Sequence, residues 1–133
     1  MKTFKTKSAI LSGTNHKEIS KKAFGLYNQI RRKTKRRPYI RSAYFKKDKI
    51  FLSLFWSHLE SKNHWDRMRR MKLFGCAVEL IKNSRFEPTS KENPNKPTEI
   101  LHRFAGVTKN NDLFFVQIKE EKRTGEKWLL SIF

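Results

Sequence analysis

The run Ile100-Leu101-His102-Arg103-Phe104-Ala105-Gly106-Val107, then Thr108-Lys109-Asn110-Asn111-Asp112, then Leu113-Phe114-Phe115-Val116-Gln117-Ile118-Lys119 decides the fold of this chain. Two stretches dense in apolar and aromatic residues flank five polar ones, the pattern of a strand, a turn and a strand. A third such stretch, from Lys127 to Phe133, follows the turn signal Thr124-Gly125. The spacing predicts three antiparallel strands over 98–108, 112–121 and 127–133, a β-meander.

The turns suggest a register. With Asn110-Asn111 as a two-residue loop, Lys109 pairs with Asp112, and 107 faces 114, 105 faces 116, 103 faces 118 and 102 faces 119. One face then collects Val107, Ala105, Phe114, Val116 and Ile118, and must pack on helices. The other collects Phe104, Phe115, Gln117, His102 and Lys119, with His102 and Lys119 as direct cross-strand neighbours. A three-residue second turn with Gly125 in the left-handed position adds Trp128, Leu130 and Ile132 to the core face. It adds Lys127, Leu129, Ser131 and Phe133 to the polar face, with Ser131 opposite Gln117.

Upstream, Asn15-His16-Lys17-Glu18 has the form of a capping box. Ile19, Ala23, Leu26, Tyr27 and Ile30 follow at helical spacing and predict a helix over 15–33. Tyr39–Phe45 and Ile50–Phe55 read as a hairpin around Lys46-Lys47-Asp48-Lys49. A long second helix starts at Asn63, with Asp66 at its third position and Trp65, Met68, Met71, Phe74, Val78 and Ile81 as its core stripe. The segment carrying Pro88, Pro94 and Pro97 reads as a long polar loop. Residues 1–13 read as a flexible basic arm. The order helix, hairpin, helix, meander makes a single α+β domain over 1–133.

Charge is the strongest functional signal. Lys and Arg number 31 against 12 Asp and Glu, a net +19, in a chain whose eleven Phe supply enough apolar volume for one core. The cations are segregated: residues 1–50 hold 16 of them against Glu18 and Asp48 alone. Arg31, Arg32, Lys33, Lys35, Arg36 and Arg37 place six cations within seven residues, more than capping a helix C-terminus requires. Arg67, Arg69, Arg70 and Lys72 form a second cluster. Both clusters read as phosphate contacts for a nucleic acid, RNA before DNA since no helix-turn-helix or zinc-finger pattern is present.

Other classes find little support. The start of the chain shows no secretory signal and no run is long and apolar enough to span a membrane, so no membrane role is expected. The single Cys76 rules out an internal disulfide, suits a cytoplasmic location and sits in an apolar helical stretch as core filler. His16, His58 and His64 read as surface or capping residues. No His/Cys cluster has metal-ligand spacing, no Gly-rich phosphate loop occurs, and no cofactor is expected.

Metal-free RNA cleavage needs a general base for the 2′-hydroxyl, a general acid for the departing 5′-oxygen and cations for the dianionic phosphorane. Histidine changes charge near neutral pH, which makes His102 the natural acid or base on the polar face. Lys119 could hold the developing charge, and Phe115, Phe104 or Phe133 could stack a base. The same residues also suit an ordinary solvated strand face.

The two helices feeding a twisted sheet, with the Ile100–Val107 and Leu113–Lys119 hairpin at its centre, resemble the barnase–EndoU–colicin–RelE superfamily of small RNases, many of them toxins. The resemblance covers about half the chain; the basic N-terminal third has no clear counterpart in its smallest members. It implies a RelE/barnase-like fold, metal-independent RNA cleavage, a tRNA or ribosome target and an acidic antitoxin or immunity partner. By position it implies catalytic roles for His102 and Lys119, and more loosely for Arg85 and Ser131, with Gln117 beside them. The expectation is therefore an RNA endonuclease of the toxin type. The alternative is a non-catalytic RNA- or DNA-binding module, such as a mobile-element accessory protein.

Overall fold

The computed structural model describes residues 2–133. In chain order it contains β1 Thr3–Lys5, α1 His16–Arg32, β2 Tyr39–Arg41, β3 Lys49–Phe51, α2 Ser53–Leu59, α3 His64–Lys72, α4 Phe74–Asn83, β4 Thr89–Asn93, β5 Lys96–Val107, β6 Leu113–Glu121 and β7 Lys127–Ile132. The described residues form an α+β fold, with four helices and one mixed sheet in the order β1-β5-β6-β7-β3-β2. Strands β4 to β7 are antiparallel neighbours, as a meander requires. Two parallel pairings extend them, β1 with β5 and β3 with β7. The twelve-residue β5 is long enough for two partners on one edge: β4 takes residues 96–103 and β1 takes 105–107.

Local chemistry sets the helix starts. Asn15 accepts the Glu18 backbone N–H at 2.9 Å and Asn63 accepts that of Asp66 at 2.9 Å, each satisfying an otherwise orphaned donor. Helices α3 and α4 meet at Leu73, whose N–H is shared between the Arg69 and Arg70 carbonyls, so the long second helix is two shorter ones. The break lets Leu73 and Phe74 turn fully inward. Leu52, Phe55 and Leu59 are buried at helical spacing, so the segment expected to continue the second hairpin strand is α2 instead.

The core lies between the helices and one sheet face, where Phe104, Phe114, Val116, Ile118, Leu129 and Ile132 meet Ile19, Phe55, Phe74 and Leu80. Gly106 is required there by close approach. A Cβ on it would lie 2.5 Å from the Phe114 ring and 2.8 Å from Leu80. Cys76 is buried in this core, and burial is the first cause that pushes its thiol up, which keeps it inert.

Two further expectations change. The segment read as a flexible arm is docked: β1 joins the sheet, and the Glu79 carboxylate accepts the Lys7 and Ser8 backbone N–H groups and the Ser8 hydroxyl. Met1 lies outside the described residues. The Pro94 segment is no loop but a hairpin, with β4 turning at Pro94-Asn95 into β5. Its residues are polar and all but Asn93 are exposed, so no alternation betrayed the strand; backbone pairing holds it, with Ser90, Glu92 and Asn93 adding side-chain bonds to His102, Lys122 and Glu99.

Candidate nucleic-acid interface

The first turn decides which side chains share a face. Thr108 N–H bonds the Asp112 carbonyl at 2.9 Å, Asn111 N–H bonds the Thr108 carbonyl at 2.9 Å, and Asn111 has φ +70°. The loop is therefore three residues, Lys109 to Asn111, with Asn111 in the left-handed position that asparagine tolerates. The Thr108 hydroxyl also accepts the Asp112 N–H at 3.1 Å. Relative to a two-residue loop, β5 slips by one residue and all its side chains exchange faces.

The consequence is a correction to the expected site. His102 pairs with Ile118, and Lys119 pairs with Leu101, so His102 and Lys119 are not neighbours and point to opposite sides of the sheet. His102 and Phe104 belong to the helix-covered face and are buried. Strand β6 keeps its expected faces, with Phe115, Gln117 and Lys119 outward.

The second turn has the expected left-handed Gly125, at φ +73°, but four residues, 122–125, between the paired Glu121 and Glu126. Ser131 stands opposite Gln117 as expected. A bulge at Leu130 then shifts the register between Gln117 and Ile118. It sends Trp128 outward and turns Lys127 and Leu129 inward.

His102 is the centre of a polar chain at one end of the covered face. Its Nε2 lies 2.7 Å from Glu120 Oε1, and its Nδ1 lies 2.6 Å from Ser90 Oγ. A carboxylate only accepts, so Nε2 carries the proton toward Glu120. Lys127 Nζ lies 3.7 Å from the other Glu120 oxygen and donates to Asp48 at 2.8 Å and to the Gly125 carbonyl at 3.0 Å. The Phe45 ring covers both His102 and Lys127, each at 4.9 Å. With both ring nitrogens engaged and its edge against Phe45, His102 ties β4, β5 and β6 together.

The open face is different in kind. Phe115 and Phe133 sit 5.5 Å apart, with the Arg103 guanidinium 5.9 and 5.2 Å from their rings. Lys119 lies 4.8 Å over Trp128, and Arg37 lies 3.9 Å over Phe51. At the sheet edge Tyr39 has Lys49 at 4.7 Å and Arg41 at 5.4 Å. Each of five half-buried aromatic side chains thus carries a cation beside an open surface.

Across the middle of this face runs the row Thr89, Arg103, Gln117, Ser131. Arg70 completes it from α3. Phe115 and Phe133 exchange both backbone bonds, so the Ile132 carbonyl points away from β6, and Arg70 donates to it at 2.9 Å and to the Ser131 hydroxyl. Asp66 holds the Arg70 Nε at 3.0 Å. Thr89, Lys91, Leu101, Arg103 and Gln117 line a recess of about 130 Å³ in the same row. Below it, Glu99 is buried beside Lys119 at 3.2 Å and Lys96 at 3.4 Å. Burial pushes its carboxyl up, but donors from Lys119, Asn93 and Lys96 outweigh that and hold it below the usual range.

The expected binding residues divide accordingly. Lys119, Gln117, Ser131, Phe115, Arg70 and Arg37 share the open face, and Arg37 pairs Glu126 at 3.2 Å. Arg31, Arg32, Lys33, Lys35 and Arg36 are exposed at and beyond the α1 C-terminus. Arg69 lines a separate hollow with Trp65 and Lys72, and Arg67 is half-buried with its Nε turned inward. Arg85 lies beyond α4 beside Lys2, Phe86 and Glu87 and is not among the residues that line the recess. Arg103, Trp128, Phe51 and Tyr39 were not expected in the site. One signal could have found Arg103: the two-residue loop sets this guanidinium opposite Ile118 on the core face, where an unpaired charge is not tolerated.

Among the described residues, no three His, Cys, Asp or Glu side chains are grouped to hold a metal ion, and no helix is long and apolar enough to cross a membrane. Comparison of the chain with protein-family models, curated proteins and solved structures returns no match in any of the three.

Proposed function

We propose that this protein binds single-stranded RNA across the open face of its sheet. Arg103, Lys119, Arg70 and Arg37 hold phosphates there, and Phe115, Phe133, Trp128 and Phe51 stack bases. The observation that carries the reading is the pairing of each aromatic with a cation on one open surface of a chain with net charge +19. Base stacking is sequence-tolerant and phosphate contact is sequence-blind, so the two together suit an unstructured strand. The exposed 31–37 cluster extends the electrostatic footprint beyond the sheet. A cytoplasmic site of action, with tRNA or ribosomal RNA as the target, fits this chemistry and the buried thiol.

A second reading, a metal-independent endonuclease of the toxin type with a RelE/barnase-like fold, is favoured by the central row. Arg103 and Arg70 bracket Gln117 and Ser131, a geometry able to hold a phosphate as it gains charge. In that reaction the 2′-oxygen attacks phosphorus, the bond to the 5′-oxygen breaks, and the products are a 2′,3′-cyclic phosphate and a 5′-hydroxyl. His102 faces the other way, so proton transfer falls to Lys119 or to groups of the RNA itself.

The test is binding and end-mapping of a labelled uridine-rich RNA and its DNA counterpart in EDTA, with wild type, Arg103→Ala and Phe115→Ala. Arg103→Ala should weaken RNA binding and flatten the logarithmic salt dependence by about 0.7 per lost phosphate contact. Cleavage that Arg103→Ala abolishes makes the second reading the function; intact RNA leaves the binding module. Unchanged affinity in both variants refutes the interface.

A further inference from the structure

A larger cavity than the recess of the central row opens at the β2 edge of the sheet, with Tyr39 and Arg41 at its margin. It is a groove of about 690 Å³ between α1, α4, the N-terminal segment and the edge strand β2. Its floor is aliphatic: Leu11, Leu26, Ile30, Ile40 and Val78 line it. Its rim carries Lys33, Arg41, Lys47 and Lys82, all exposed. Among the described residues none of these four makes an ion pair, and no carboxylate lines the groove. The acids nearest in sequence are committed elsewhere, Glu79 to the Lys7–Ser8 backbone and Asp48 to Lys127.

We infer that this groove is the docking site for an acidic amphipathic segment of another protein, which sets aliphatic side chains on the floor and carboxylates against the rim. The lining separates this occupant from RNA. Bases need flat π surfaces, and the floor offers branched aliphatic side chains, with Tyr39 alone at the margin. Leucine and isoleucine side chains fit such a floor, as in recognition of an amphipathic helix by a groove. Four cations without ion-pair partners around an apolar floor favour a negative partner and disfavour a basic one. The inference does not depend on RNA binding at the open face.

The probe is a synthetic peptide of about 18 residues, about five helical turns, with leucine at every third or fourth position and glutamate elsewhere. A control keeps the glutamates and replaces leucine by serine. Fluorescence anisotropy should show the probe binding at least roughly tenfold more tightly than the control. Lys82→Glu and Lys47→Glu, both on the exposed rim, should each weaken the probe several-fold, and Val78→Asp, checked by melting, at least roughly tenfold. Arg103→Glu should leave the probe untouched while weakening RNA. The inference is overturned if probe and control bind alike, if neither binds, or if the rim and floor variants leave the probe's affinity unchanged. It is equally overturned if Val78→Asp weakens RNA instead, which would assign the groove to the nucleic acid.

Discussion

Replacing His102 by alanine separates a structural histidine from a catalytic one. The side chain is almost wholly buried and bonded at both nitrogens. Losing the charge-assisted bond to Glu120 costs about 1.5–3 kcal/mol and the bond to Ser90 about 0.5–1.5 kcal/mol. The lost edge contact with Phe45 adds about 0.5–1.5 kcal/mol. Glu120 keeps Lys127 and some solvent, which offsets part of this, so a net loss of about 3 kcal/mol is expected. For a chain of this length that lowers the melting temperature by about 10–15 °C. Guanidinium and thermal unfolding of wild type, His102→Ala, Glu120→Gln and the double variant measure it, and the double-mutant cycle should return a coupling of about 1–2 kcal/mol. RNA affinity measured well below the transition should stay within about twofold, because the ring turns away from the open face. A variant that melts like wild type yet loses its action on RNA would refute the reasoning, and with it the three-residue turn on which the face assignment rests.

Other perturbations probe the rest of the structure. Gly106→Ala forces a methyl group into the Phe114 ring and should destabilise the fold by about 1–3 kcal/mol in denaturant titration, although alanine suits the strand better than glycine. Glu99 has a lowered carboxyl, so its contribution is present above the unfolded carboxylate range and is lost as pH falls through the folded value. Glu99→Gln should therefore destabilise at pH 7, and the gap to wild type should close on acidification; a gap constant with pH would show that the charge is not involved. Trp128→Ala removes a stacking platform beside Lys119 and should weaken single-stranded RNA by about 1–3 kcal/mol in a filter-binding or anisotropy titration, with little effect on double-stranded RNA.

Much of the fold follows from local chemistry and was legible on that account. Asn15 and Asn63 cap helices because an amide oxygen one residue before a helix can meet an orphaned N–H, whatever lies elsewhere in the chain. The three strands of the meander and the outward set Phe115, Gln117 and Lys119 follow from alternation within β6 itself. Segment type was lost where composition and packing diverge. Ile50–Phe55 looks β-prone by composition, but Leu52, Phe55 and Leu59 are spaced for a helix, and Thr89–Asn93 is a polar strand with no apolar alternation to mark it.

The sequence by itself determined the charge, the α+β class, the helix caps and the positions of the two meander turns, since each depends on composition or on residues a few places apart. The tertiary structure decided which side chains meet. One residue more in the Thr108–Asp112 turn exchanges the faces of β5, and one bulge at Leu130 exchanges those of β7 beyond it. A strand's side chains alternate with period two, so these single-residue differences took His102 into the protein and set Arg103 and Trp128 on its open surface. The groove beside β2 has no local signature at all, because its lining is drawn from four separate parts of the chain that only packing brings together.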